Sequence, residues 1–220
     1  MQQTRRDKTA LNREAILNSA LDEFTEKGFA AARMEDIARR AGVAKGTIYL
    51  NFADKESLFE AIVTQEIVPL IGAAKSPLAP GETVRGFLER TVLPLLQDFP
   101  NSRRGLVMRL IVTEGCHFPK LAEVYYRKVI APGLAAFGTL AKHAVKTGEL
   151  GGDALVRFPQ LMIAPAILSV VWSGLFERLK PLDTQEMLRA HFDQIFGMAK
   201  DAKKPSKSKR SSVAKAGAKA

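Results

Sequence analysis

The 220-residue sequence has a single cysteine, three histidines and one tryptophan. Cys116 therefore cannot close an internal disulfide, and the paired-cysteine frameworks that hold structural zinc are excluded with it. His143 and His191 lack a ligand-type partner four residues away. Glu114, Cys116 and His117 stand one and two positions apart, spacings that diverge around a helix. Metal chemistry and nucleophilic catalysis thus have no constellation to work from, and a non-enzyme without cofactor, metal or catalytic residues is expected. Long apolar runs are scarce as well. Stretches such as LMIAPAILSVVW (161–172) fall short of the roughly 20 residues a membrane helix needs, and MQQTRRDKTA at the start carries no apolar signal region. A soluble, cytoplasmic protein with no membrane partner is expected.

Positive charge is abundant but unevenly placed. Of the net +10, residues 203–220 supply +7 without any acid, residues 1–60 balance ten basic against ten acidic side chains, and +3 remains for 61–202. The tail KKPSKSKRSSVAKAGAKA is poor in apolar residues and reads as disordered, either as a solubilising, weakly polyanion-attracting segment or as an auxiliary DNA contact. The isoelectric point therefore makes no case for DNA binding by itself.

Elsewhere apolar residues recur at helical spacing, and sustained strand alternation is missing. Ile16, Ala20 and Phe24 step by four through a first helix over 9–27, with Gly28 at its C-cap position. A second helix is predicted over 34–41, a short third over 45–50, and a long fourth opening on Asp54 as N-cap and carrying Leu58, Phe59 and Ile62. After AAKSPLAPGE, further helices are predicted over 81–98, 102–115, 118–128, 132–147, 153–179 and 183–199, kinked at Pro94, Pro159 and Pro165. The expected fold is all-α with about nine to ten helices. It divides into a flexible arm (1–8), a helix-turn-helix domain (9–69), a larger helical domain (70–202) and the basic tail (203–220).

Within the smaller domain, GVAKGTIYLNF (42–52) places special residues at fixed offsets. Two helices joined by a tight turn need a small residue where they cross, a turn residue tolerant of positive φ and an apolar anchor, and Ala38, Gly42 and Ile48 meet those needs. Lys45, Gly46, Thr47 and Tyr49 are left facing outward: a cation, a gap for close approach, a hydroxyl and a phenol. Such a set can hydrogen-bond phosphates and base edges from the major groove. Spacing alone leaves the matter open, because glycine-turned helix pairs also occur in proteins that never touch DNA.

Residues 13–63, REAILNSALDEFTEKGFAAARMEDIARRAGVAKGTIYLNFADKESLFEAIV, resemble the N-terminal domain of TetR-family (AcrR-like) transcriptional regulators. The likeness lies in IL..A...F...G, in IA..AGV.KGT.Y..F..KE.LF and in the lengths between them. It implies a three-helix DNA-binding domain completed by the start of a fourth helix, and a divergent helical domain that binds a small-molecule effector. It also implies a homodimer on a palindromic double-stranded DNA operator, usually acting as a repressor. Carried over by position, Lys45, Gly46, Thr47, Tyr49 and Asn51 fall on the recognition helix and its end. Lys55 matches a phosphate-contacting lysine, while Arg33 and Met34 open the second helix, where the DNA backbone is contacted. Three positions depart from the pattern. Ala44 stands at an N-cap where serine is common, Ala32 and Arg33 replace the usual threonine or serine, and Asn51 replaces a histidine or tyrosine. A constitutive DNA binder without ligand release is the alternative reading.

For the larger domain, a cavity between helices is expected, with Met108, Phe137 and Trp172 in its wall and Arg109, His117 and Tyr126 as its polar groups. The last two long helices present Leu161, Ile167, Val171 and Leu175, then Leu188, Phe192, Ile195 and Phe196. That is more apolar surface than one small domain needs, and the resemblance implies a dimer interface there. Completion of the monomer core is the alternative.

Overall fold

The structure, a computed structural model, describes residues 2–96 and 98–197, and among them every regular element is helical. The basic tail and residues 198–202 of the larger domain lie outside the described residues. Helix α1 (Gln2–Ala31) begins at Gln2, so residues 2–8, expected as an arm, form its first turns. It breaks at Gly28, whose φ of +79° is the left-handed conformation that suits a C-cap glycine. Next come α2 (Met34–Arg40) and α3 (Lys45–Asn51), joined through Gly42 at φ +67°. Ala38 and Ile48 are buried at this crossing, as expected of a packing pair. Ala44 gives α3 no side-chain cap.

Helix α4 (Lys55–Glu66) opens with a full capping box. The Ser57 amide donates to Asp54 Oδ1 at 2.7 Å, and the Asp54 amide donates to Ser57 Oγ at 3.2 Å; a cap of this kind contributes about 1 kcal/mol. Beyond Ile67 the chain continues as α5 (Val68–Ala74), which the sequence reading had not separated. The combined run Lys55–Ala74 is long and apolar enough, by length and composition, to cross a membrane, which corrects the expectation that every apolar stretch is too short. Its residues Leu58, Phe59, Ile62, Val63 and Ile67 are instead buried in the core they share with α1.

Proline chemistry shapes the remainder. Helix α6 (Val84–Thr91) gives way at Val92 to α7 (Leu93–Leu96), which carries Pro94 in its first turn, and a 3-10 turn over Phe99–Asn101 leads into α8 (Arg103–Glu114). Helix α9 (Pro119–Tyr125) then runs into α10 (Ala131–Lys146) without the break expected between 128 and 132. The chain widens to a π-turn over Tyr126–Ile130, where the Ala131 amide donates to Tyr126 O five residues back, relieving the clash Pro132 would otherwise make. Pro159 falls between α11 (Ala154–Arg157) and α12 (Gln160–Leu175), whereas Pro165 is accommodated inside α12; α13 (Thr184–Phe196) follows.

Two apolar cores result. One holds α1–α4 together with residues of α8, α9 and α12, so it crosses the boundary placed at 69/70; the other gathers α6, α10, α11, α12 and α13. Burial therefore links the end of the chain that carries the helix-turn-helix to the helices that enclose the larger domain.

Candidate nucleic-acid interface and an apolar cavity

Ile48 is the one buried side chain of α3 and seats the helix on the core, which leaves the other faces outward. Lys45, Gly46 and Tyr49 are exposed and Thr47 is half-buried. A Cβ on Gly46 would meet nothing within 4 Å, so that stretch of backbone is open to close approach. Leu50 is 89% exposed at the far end of the helix. The sequence reading had not singled it out, although an unburied leucine on this surface could meet a thymine methyl.

These side chains are not free. Glu35, in the first turn of α2, holds Lys45 Nζ at 3.0 Å and accepts from the Tyr49 hydroxyl at 3.2 Å, both on Oε1. The ammonium beside it lowers the Glu35 carboxyl below its usual value, and Glu35 in turn raises Lys45. Asn51 spends its side-chain amide on the Thr47 carbonyl at 2.8 Å, closing the last turn of α3. Lys55 Nζ donates to the carbonyls of Phe29 and Ala30, at 2.6 and 3.0 Å, and lies 4.9 Å from the centre of the Phe29 ring. It therefore ties the start of α4 to the end of α1, leaving one ammonium proton for a phosphate. Arg33 is exposed at the N-cap of α2. Met34, expected at the DNA surface, instead buries its side chain in the core, so only its backbone is left to face outward.

The cavity lies among α5–α10, α12 and α13, with a volume of about 100 Å³. Ile71, Met108, Tyr125, Phe137, Ala166 and Phe192 are among its lining residues. Among the described residues its wall carries no charged side chain. Its polar side-chain group among the described residues is the Tyr125 hydroxyl, which donates to Met108 Sδ at 3.7 Å and whose pKa burial pushes up. Met108 and Phe137 stand where expected, but the predicted polar set does not. Tyr126 is exposed and its neighbour Tyr125 points inward; His117 is exposed beyond α8; Arg109 is half-buried beside Gly174. Trp172 donates its indole N–H to Lys180 O at 2.7 Å and does not line the cavity.

The expected dimer residues divide in two. Ile167, Leu188 and Phe192 line the cavity instead of facing outward, Val171 is half-buried, and Ile195 and Phe196 pack against the second core. Leu161 and Leu175 are 45% and 66% exposed, and Leu168, halfway between them in sequence, is 48% exposed. These three leucines form a seven-residue stripe along α12. Glu114, Cys116 and His117 do not converge, and no group of three or more His, Cys, Asp or Glu side chains among the described residues could hold a metal ion.

Side-chain contacts join these regions. Arg103, at the start of α8, reaches Glu66 on α4 at 3.0 Å and Asp22 on α1 at 3.9 Å. The Phe118 ring packs edge-on against Phe29 at 5.1 Å, and Phe29 is the residue that holds Lys55.

Residues 16–62 match the model of the bacterial regulatory proteins of the tetR family. Over 155 residues the chain is 31% identical to the HTH-type transcriptional repressor BepR of Brucella suis biovar 1, covering 66% of this chain and 71% of the repressor. A SmeT–triclosan complex shares the fold at a TM-score of 0.69 and 18% identity, over 83% of this chain and 88% of that one. FadR from Bacillus subtilis in complex with stearoyl-CoA does so at 0.62 and 20%, over 84% and 98%.

Proposed function

The chain belongs to the TetR family and is a helix-turn-helix, DNA-binding transcriptional regulator; from that premise we propose that it is a homodimeric repressor, held on a palindromic operator and released by a small, mainly apolar effector. Residues 9–69 read DNA and the helices beyond them bind the effector and dimerise. Lys45, Gly46, Thr47 and Tyr49 read the groove, while Arg33, Asn51 and Lys55 position the backbone. A cytoplasmic site of action follows from that role.

One observation carries the coupling. The helical run Lys55–Ala74 starts four residues beyond the end of α3, and its far end supplies Ile67, Leu70, Ile71 and Ala74 to the cavity wall. An occupant that spreads the wall must displace this run, and α4 carries the recognition helix with it. Half-site separation then changes, and the energy of binding both half-sites falls. An uncharged apolar occupant is supported by the wall chemistry, since a buried charge without a partner costs far more than the cavity returns. The exposed leucine stripe of α12 supports a second copy as its cover. Triclosan, the ligand in the SmeT complex, is a first probe for this chain.

The test is selection of duplexes from random DNA by the purified protein in moderate salt, which suppresses contacts made through the tail. A palindrome is expected, and triclosan or a similar neutral apolar compound should release it. A selected site without twofold symmetry would sink the dimer reading. A palindrome bound equally well across a library of neutral apolar compounds would sink ligand release.

A further inference from the structure

We propose that Glu35 is a specificity-determining residue: by gathering Lys45 and Tyr49 on one carboxylate oxygen, it withholds both from DNA that cannot satisfy them together. This rests on the reading that α3 enters the groove and extends it to a residue outside the recognition helix.

The geometry is unusual for a surface acid. Asp36, the neighbouring acid, points to Arg39 and Lys27, away from the groove-reading residues. Glu35 instead reaches across from α2 and engages two side chains of α3 one helical turn apart, at 3.0 and 3.2 Å. Exposed ion pairs add little to folding stability, so stability is a poor account of this arrangement. Its effect on binding is larger. A carboxylate beside the groove repels phosphates and neutralises the cation that would otherwise attach to any stretch of backbone. Nonspecific DNA must displace Glu35 from Lys45 and gains only a phosphate contact. An operator that offers partners to Lys45 and Tyr49 at once offsets the displacement. Specificity is a difference of affinities, and a built-in penalty against wrong partners raises it.

The experiment compares wild type, Glu35→Gln and Glu35→Asp on two probes: the palindromic duplex selected by the wild-type protein and a scrambled duplex of the same composition. Glutamine keeps the size and removes the charge. It should raise affinity for scrambled DNA about tenfold and affinity for the operator much less, with a nonspecific salt slope steeper by about one. Aspartate keeps the charge but is one methylene shorter, so one oxygen no longer reaches both partners. It should lower the discrimination ratio part of the way towards the glutamine value. Equal gains on both probes, or an aspartate variant with the wild-type ratio, would overturn the inference and leave only a general field effect. Failure of the wild-type protein to select any duplex would instead defeat the groove reading, and this inference with it. Thermal melting should be unchanged in both variants.

Discussion

Helix α3 and the cavity wall use apolar residues in opposite ways. The seven residues of α3 rest on one buried side chain, Ile48, and everything that can touch DNA projects away from it. The cavity is built from core residues contributed by segments from Ile67 to Phe192, and its wall is apolar apart from the Tyr125 hydroxyl. On α3 the residues proposed to read DNA are those the core leaves over. In the cavity they are core residues that lack a neighbour on one side, so nothing in their chemistry marks them. A reading surface can thus be recognised by subtraction, while a binding cavity appears only once the helices are assembled.

The largest expected effect breaks the first region and spares the second. Ile48→Ala removes the sole buried anchor of α3 and should cost about 3 kcal/mol, within the range for isoleucine truncation in a core. Urea unfolding reads the stability, with operator binding and binding of a neutral apolar ligand measured in parallel. Operator binding should vanish well below the unfolding midpoint while ligand binding persists. Joint loss of both would mean that the core shared by α1–α4, α8, α9 and α12 spreads the damage across the molecule.

The same contrast explains how much could be read from sequence. The N-terminal helices were legible because their determinants are local: Gly28 and Gly42 at positive φ, Ala38 and Ile48 at the crossing, Asp54 at the cap. What the pattern missed there was the use of side chains across the turn, such as Glu35 with Lys45 and Tyr49, or Lys55 with the end of α1. The buried Met34 is legible as an apolar residue opening a helix, and here hydrophobicity decides its place over its position in the motif. In the larger domain, Leu121, Tyr125 and Val129 step by four and are all buried, a stripe that distinguishes Tyr125 from Tyr126. Helix α12 was not decidable in this way. Its inner residues Met162, Ala166 and Val170 and its outer residues Leu161, Leu168 and Leu175 are all apolar, so periodicity cannot tell the core face from the exposed one. On helix α13, Leu188 and Phe192 have the same apolar spacing as an outward stripe would, yet they are buried in the second core.

A second change acts on the cavity alone. Ala166→Leu places three more carbons into the space bordered by α12 and should alter stability by no more than about 1 kcal/mol, because it fills a void instead of overpacking a filled core. Calorimetric titration should show the neutral ligand no longer binding, and the operator should stay bound when that ligand is added. Unchanged ligand affinity would place the effector elsewhere. A loss of operator affinity without any ligand would show that the wall and the reading surface are coupled even in the empty protein, narrowing the contrast between the two regions.

The smallest effect concerns a third place, where backbone chemistry sets a side chain's proton. Pro165 has no amide, so the Leu161 carbonyl lacks its normal helical donor, and His191 Nε2 lies 3.0 Å from it. A carbonyl oxygen only accepts, so Nε2 carries the proton. Burial lowers the His191 pKa from 6.5, against the opposing pull of the Leu161 hydrogen bond. The folded protein therefore releases the second proton more readily than the unfolded chain does. The stability contribution is complete above about pH 6.5 and is lost as the pH falls towards the folded-state pKa. The groove around His191 is lined by Leu150, Gly151, Gly152, Ala154, Leu155, Leu161, Gln194 and Ile195, none of which titrates. His191→Gln keeps a donor for Leu161 without the titration, so its melting temperature should fall less than that of wild type between pH 7.5 and 5.5. Parallel slopes for the two proteins would move this acid sensitivity to other groups, and a steeper slope for glutamine would reverse the sign argued from burial.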